Sequence, residues 1–394
     1  MSEQLRQEFN ARWTPEKYQR FLRLVAERSG THVGFRTCET PCFFDASFLD
    51  EMAETGEALI RQLVENPEYR RRSDESLPER YRVPNEPHAP LFVQVDFGVV
   101  RDVERKLHPR LVEIQGFPSL YGFQPVLSQS YIDAYELDPA LRYFFSALDG
   151  RSYWDLLRRA IVGEHDPENV ILLEIDPEHQ KTLCDFRVTE RKLGVRAVCI
   201  TKIRKEGSRL SYNRDGRWTP IKRIYNRAII DELERKRLEP PFDWRDELDV
   251  EWAGHPNFYF RISKFSLPYL NHPSVPESIF LDQMAQLPEQ PEEWVLKPLY
   301  SFAGLGVVVG PSRADVEAVP SAERHKWILQ RKMDFTPVIE TPEGPAKAEV
   351  RIMYIWQDRL RPVCNIIRMG RGKMMGVDHN KNMTWVGASA ALFY

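Results

Sequence analysis

The chain has 394 residues, long enough for two or three domains with well-formed cores. Its 55 basic and 58 acidic residues leave a formal net charge of −3, so there is no bulk electrostatic case for nucleic acid or an anionic membrane. Five scattered cysteines fit a reducing cytoplasm, and the polar start MSEQLRQEFNARW lacks the apolar core of a signal peptide.

In chain order, Tyr18, Phe21, Leu22 and Val25 mark one face of an amphipathic helix over 14–28. A second helix is expected over 45–65, behind an Asp or Ser cap. The charged, proline-bearing stretch 68–90 reads as loop. Strands are expected over 91–97 and 110–117, then helical segments between about 129 and 159. Near Glu164 the character changes. NVILLEI, a helix over 181–193 and VRAVCI follow a β-α-β grammar, which favours a small parallel sheet in a substrate-facing block. Asn213-Arg214-Asp215-Gly216 centres a hairpin over 210–218, and KRIYNRAII closes the block. Nowhere is there an apolar run long enough to span a membrane. Cys38 and Cys42 are the one close cysteine pair, and without a second cluster at ligand spacing they do not make a zinc site.

Two stretches carry the chemistry. In WVLKPLYSFAGLGVVVG (294–310), an apolar strand delivers Lys297, a turn of small residues follows, and a β-branched strand leaves at once. A Walker loop or a dinucleotide fingerprint would pass into a helix. This segment reads instead as the tip of a hairpin, either an ordinary one or a flap whose backbone N–H groups approach phosphate oxygens. An unpaired ammonium in an apolar strand is costly, so Lys297 calls for an anionic partner. The second stretch is LVEIQGFPSLYG (111–122). Residues two apart share a strand face, so Glu113 and Gln115 point one way, as do Gln94 and Asp96 in LFVQVDF. If the two strands pair, Asp96, Glu113 and Gln115 converge. That is either the solvated face of a hairpin or an oxygen-only set suited to Mg²⁺.

Together these segments resemble the ATP-grasp superfamily of carboxylate–amine ligases, in particular its circularly permuted branch with eukaryotic glutathione synthetase and glutathionylspermidine synthetase. The match covers roughly 90–125 and 255–394, and the glutamate-containing metal strand precedes the glycine flap as in that branch. The resemblance implies that Lys264 in FRISKFSLPYL and Lys297 in VLKP are the nucleotide lysines. Ser301, Ala303, Gly304 and Gly306 would form the flap. Gln330, Lys332 and Met333 in WILQRKM would form the segment that holds the adenine. Mg²⁺ would sit on Glu113 and Gln115, with Asp96 or Glu349 as third ligand. Two departures stand out: Gln115 replaces the usual asparagine, and Ser301 stands where glutathione synthetase has a metal-binding glutamate.

The implied fold is α/β (α+β), an ATP-grasp core assembled from both chain ends, 1–163 and 253–394, around an inserted α/β block at 164–252. The implied activity is ATP- and Mg²⁺-dependent joining of a small-molecule carboxylate to an amine through an acyl phosphate. Phosphoryl transfer asks mainly for positioning and charge neutralisation, so no protein nucleophile is needed. Guanidinium forks suit the carboxylate and the oxyanion, and the candidates are Arg351, Arg368 and Arg227, with Arg36 as a fourth. Arg227 lines up with an arginine that the resemblance assigns to substrate. A homodimer is compatible with the resemblance. A nucleotide-binding protein without turnover and a small-molecule phosphotransferase remain the alternatives.

Overall fold

The alternating residues of LFVQVDF and LVEIQ form an inner strand and an edge strand of a five-stranded antiparallel sheet that draws on both halves of the chain. The computed structural model describes residues 2–300, 304–376, 380 and 382–394. Strand Phe92–Arg101 pairs with Leu107–Gln115 on one side and Lys347–Trp356 on the other; Leu360–Gly370 and Gly387–Ser389 complete the sheet. The register sets Asp96 opposite Glu113 and Gln94 opposite Gln115. One extra residue, Val112, sits between the pairs Asp96–Glu113 and Phe97–Leu111, a bulge that turns its carbonyl out of the ladder.

Period-two alternation gives this sheet two unlike faces. Val93, Val95, Phe97, Val350, Ile352 and Tyr354 form one side of a core shared with helix Ala46–Val64. Tyr354 Oη donates to the Ala53 carbonyl at 2.8 Å, and a Cβ at Gly56 would run into that hydroxyl, so close packing requires glycine there. The opposite face is split. Phe92, Met353, Ile355 and Ile366 at one end pack into the core that contains helix Phe123–Tyr135. The other end carries Gln94, Asp96, Glu349, Arg351 and Arg368.

A second antiparallel sheet holds Ser278–Phe280, Trp327–Arg331, Trp294–Pro298 and Val308–Val309 in that spatial order. Trp294 pairs with Arg331, and Val295 with both Gln330 and Val309, so the strands flanking the glycine turn form a hairpin. Trp294, Leu296 and Leu329 bury one face with Val316 and Val319, leaving Val295, Lys297, Val309 and Gln330 on the other.

The middle of the chain forms a four-stranded parallel sheet in the order Glu251–Ala253, Arg223–Asn226, Val170–Glu174, Arg196–Cys199, with helix Leu183–Leu193 as one crossover. The hairpin at Asn213–Gly216 joins Arg209–Arg214 to Arg217–Ile221 in a separate three-stranded sheet. The core of this region recruits Leu77, Tyr81, Val83 and Phe260 from outside 164–252, and Val170, Leu172 and Tyr225 belong to the neighbouring core.

Local signals set some boundaries and long-range ones set others. Helix Pro15–Ser29 starts at Thr14, whose side chain accepts the Lys17 N–H, and ends at Gly30 with φ 74°. The stretch expected as loop contains helix Pro67–Ser73, because Asn66 caps the N–H groups of Glu68 and Tyr69 and proline takes the first helical position. Helix Phe123–Tyr135 starts earlier than its own sequence indicates. Its first N–H groups are satisfied from a distance, by Asp185 Oδ1 at 2.8 Å from Gly122 N and 2.9 Å from Phe123 N.

Candidate active site

The polar end of the five-stranded sheet and the open face of the second sheet face each other across a cavity of about 490 Å³. Val295, Lys297, Val309 and Gln330 line it from one sheet, and Val112, Glu113, Lys347, Glu349 and Arg368 from the other. Lys264, Gly304, Lys332 and Met333 complete the expected set that reaches the wall.

Lys297 is buried, with Nζ 3.0 Å from the bulged Val112 carbonyl and 2.5 Å from Gln330 Oε1. Burial lowers its pKa to about 8, against the opposing pull of Glu113. Gln330 Nε2 is buried without a partner among the described residues. Lys264 opens the 3₁₀ turn Lys264–Tyr269, behind a Ser263 cap, and its Nζ lies 3.6 Å from Glu113 Oε2. Burial works against the Glu113 carboxylate, but Lys264, Arg368, Lys297 and Arg351 together outweigh it and hold its pKa below the usual range.

Asp96 and Glu349 belong to an arginine network. Arg351 grips Asp96 bidentately, Nε to Oδ1 at 2.5 Å and Nη2 to Oδ2 at 2.7 Å, and its Nη1 donates to Gln94 Oε1 at 2.9 Å. Arg368 Nη2 meets both Asp96 Oδ2 and Glu349 Oε1. Burial pushes the Glu349 pKa up toward neutrality against the pull of Arg368, with Asp96 and Glu113 adding to the rise. Four cations (Lys264, Lys297, Arg351, Arg368) face three carboxylates (Asp96, Glu113, Glu349), an excess of one positive charge.

The expected residues separate into groups. Lys264, Lys297, Gly304, Gln330, Lys332, Met333, Glu113 and Arg368 share the main cavity. Gln115 donates to Glu113 Oε1 and lines a second compartment of about 30 Å³ with Phe117, Tyr259 and Tyr300; Glu113 and Lys264 are common to both. Gly306, with φ 75°, belongs to the turn and does not line the cavity. Ser301 and Ala303 lie outside the described residues.

Three expected roles meet physical obstacles. Asp96 is 1% exposed, both its oxygens meet guanidinium groups, and it does not line the cavity, so a metal there would have to displace an arginine to reach it. Arg351, its partner, also stands off the wall of the cavity. Arg227 was expected in an acceptor pocket. It is buried between the rings of Phe117 and Phe186, 5.4 and 5.6 Å from their centroids, donates to the Pro118 carbonyl, and lines neither cavity.

The two carboxylates of the network that face the cavity are Glu113 and Glu349, and the described residues contain no cluster of three or more His, Cys, Asp or Glu placed for a metal. Lys347 and Lys373 were not among the expected site residues, yet both line the cavity. Lys347 had a signal, since it lies two and four residues before Glu349 and Arg351 on the same strand face. Lys373 had none. Its loop is pinned by buried Asn380, which accepts from the N–H groups of Arg371 and Gly372 and donates to the carbonyls of Met374 and Gly376.

No family model matches the sequence, and no curated relative matches it. Among solved structures, the chain is similar to a glutathione synthetase-like effector from Globodera pallida in its apo form, with a TM-score of 0.59 and 9% identity. The superposition covers 97% of this chain and 99% of that one. The fold is glutathione synthetase-like. At 9% identity the likeness speaks for architecture alone, and chemistry must be argued from the cavity. Among the described residues no helix is long and apolar enough to cross a membrane.

Proposed function

We propose that the protein is an ATP- and Mg²⁺-dependent ligase of the ATP-grasp type, in the circularly permuted branch, joining a small-molecule carboxylate to an amine. The observation that carries this reading is the convergence of Lys264, Lys297 and Arg368 on one cavity between two sheets, with net positive charge around them. Such an excess in a low-dielectric cleft favours a polyanion. The volume suits a nucleotide, and Val295, Val307, Val309 and Met333 offer an apolar slot beside the charged end. The unpartnered Gln330 Nε2 gives that slot a free donor.

The residues present also fit Mg²⁺, which binds through one or two carboxylates plus substrate phosphates rather than in an all-protein cage. Glu113 and Glu349 would hold it, and when bound it would neutralise charge on the transferring phosphoryl group. The chain's own contribution is positioning. Lys297, held by Val112 and Gln330, and Lys264, held near Glu113, would bind phosphate oxygens from two sides. Arg368 would orient the substrate carboxylate and later balance charge on the tetrahedral oxyanion as the amine displaces phosphate. Closure of the hairpin would exclude water from the activated acyl group. On this reading 1–163 and 253–394 supply the core, 164–252 faces the substrate, and the protein works in the cytoplasm on small molecules.

One observation favours a second reading. The compartment next to Glu113 and Lys264 is only about 30 Å³, which leaves a peptide-sized acceptor no room without movement. A phosphotransferase, or a nucleotide-binding protein without turnover, would not need that room. The test is phosphate release from ATP and Mg²⁺ across a panel of small carboxylates, with and without added amines. Release that requires both a carboxylate and an amine supports the ligase. ATP consumption with a carboxylate alone supports phosphotransfer, and ATP binding without release supports the inactive alternative.

A further inference from the structure

Asp96 sits in the middle of a hydrogen-bonded relay across three strands. The Ser119 carbonyl accepts from Gln94 Nε2 at 2.7 Å, Gln94 Oε1 accepts from Arg351, Arg351 clamps Asp96, and Asp96 meets Arg368. The strand register builds this line, because Asp96 lies opposite Arg351, and Glu349 opposite Arg368. Its inner members, Arg351 at 8% included, are buried, and its last is the most exposed. Gln94 is 0% and Asp96 1% exposed, whereas the Arg368 side chain is 22% exposed and stands on the cavity wall. The Nε and Nη1 groups of Arg368 donate to nothing among the described residues. A buried ion pair is costly to assemble and often replaceable by apolar packing, so a relay that ends in a guanidinium with spare donors invites a role beyond stability.

We infer that Asp96 is a positioning residue that fixes Arg368 as a metal-independent anion-binding group of the cavity, with Arg351 acting through Asp96. A planar guanidinium whose one nitrogen is held by two carboxylates has its remaining donors aimed elsewhere, where tetrahedral phosphate oxygens or a carboxylate can accept them. A free arginine would have to be ordered on binding, at the cost of its side-chain entropy. This inference deepens the reading above and rests on its placing of an anionic ligand in the cavity.

The test measures calorimetric binding of inorganic tripolyphosphate in EDTA, and of ATP with and without Mg²⁺, alongside melting temperature. Wild type binds tripolyphosphate without metal. Asp96→Asn weakens that binding at least tenfold and leaves the Mg²⁺ concentration at half-saturation of ATP binding within twofold. A merely structural Asp96 would lower the melting temperature and leave the metal-free affinity of the folded protein unchanged, which overturns the inference. So does the reverse pattern, an unchanged metal-free affinity with a tenfold shift in the Mg²⁺ midpoint, because Asp96 would then be a metal ligand. If Asp96→Asn does not fold, Arg351→Lys carries the test. It weakens tripolyphosphate binding three- to tenfold, and unchanged binding overturns the inference. A wild type that ignores tripolyphosphate overturns it as well. The two readings fail separately. Tripolyphosphate binding that depends on Asp96, without ATP binding, removes the ATP ligase and keeps the relay; unchanged tripolyphosphate binding by folded Asp96→Asn, with normal ATP binding in wild type, removes the relay and keeps the ligase.

Discussion

Two clusters of buried charge in this molecule differ in what they face: one lines the cavity between the sheets, and the other lines neither cavity described above. In the five-stranded sheet, Asp96, Arg351, Arg368 and Glu349 run toward the space shared with Lys264 and Lys297. Around the parallel sheet, Arg227, Glu174 and Asp185 are also buried, but Arg227 lies between Phe117 and Phe186, and none of the three lines either cavity. Both groups perturb pKa values. Burial raises Glu174 to about 8 against the pull of Arg227, and raises Asp185 as well. Perturbed titration by itself therefore does not mark a site in this fold. The distinguishing features are access and an excess of one sign of charge: the cavity cluster has both, and the Arg227 cluster holds two carboxylates to one cation behind aromatic rings.

The sharpest way to break this comparison is Asp185→Ala. It removes the acceptor for two helix-starting N–H groups and a carboxylate facing buried Arg227, so we expect a loss of about 3–5 kcal/mol in chemical denaturation. Nucleotide affinity of the folded fraction should not change. A stability loss below about 1 kcal/mol, or a selective loss of ATP binding, would place function in the wrong cluster.

Glu174 gives an effect resolved by pH and smaller at any one step. Its folded pKa of about 8 lies above the unfolded carboxylate value near 4.5, so between these limits the native state holds more protons than the unfolded chain. Stability should therefore fall as pH rises from about 5 to 8, by up to about 1.4 kcal/mol per pH unit. Glu174→Gln should flatten that slope and raise stability at pH 8, while ATP affinity stays the same. Denaturant midpoints measured across this range in both proteins check it.

Lys297 should show the opposite kind of coupling, in binding. Its pKa of about 8 in the ligand-free protein must rise when a phosphate approaches, so binding above pH 8 takes up a proton. ATP affinity should be nearly flat below pH 7 and should fall above pH 8, by no more than about tenfold per pH unit. Lys297→Met should lose this dependence. Calorimetry in buffers of different ionisation enthalpy counts the proton directly, and zero uptake at pH 8.5 would show that Lys297 does not meet the ligand.

The strand faces of the site were legible in the sequence. Alternation put Asp96, Glu113 and Gln115 on one side, and the register pairs Asp96 with Glu113 as expected for neighbouring strands. The β-branched residues after the glycine turn likewise pair back onto the lysine strand. What covers a face was not legible. Asp96 faces Arg351 and Arg368, 255 and 272 residues further along, and no local pattern distinguishes a carboxylate awaiting a metal from one awaiting two arginines. The surroundings of Arg227 were hidden for the same reason. KRIYNRAII reads as a strand end, while the rings that enclose its arginine come from Phe117 and Phe186. The helix start at Phe123 depends on Asp185, a cap that short-range rules do not see.

The central claim is that the cavity between the two sheets holds ATP through Lys297. Its most direct test is a calorimetric titration of wild type and Lys297→Ala with ATP and Mg²⁺ at pH 7. The account predicts saturable one-to-one binding by wild type, weakened in the folded variant by about 1.5–3 kcal/mol, the scale of a hydrogen bond to a charged group. Equal affinity in the two proteins, or no binding by wild type, would contradict it.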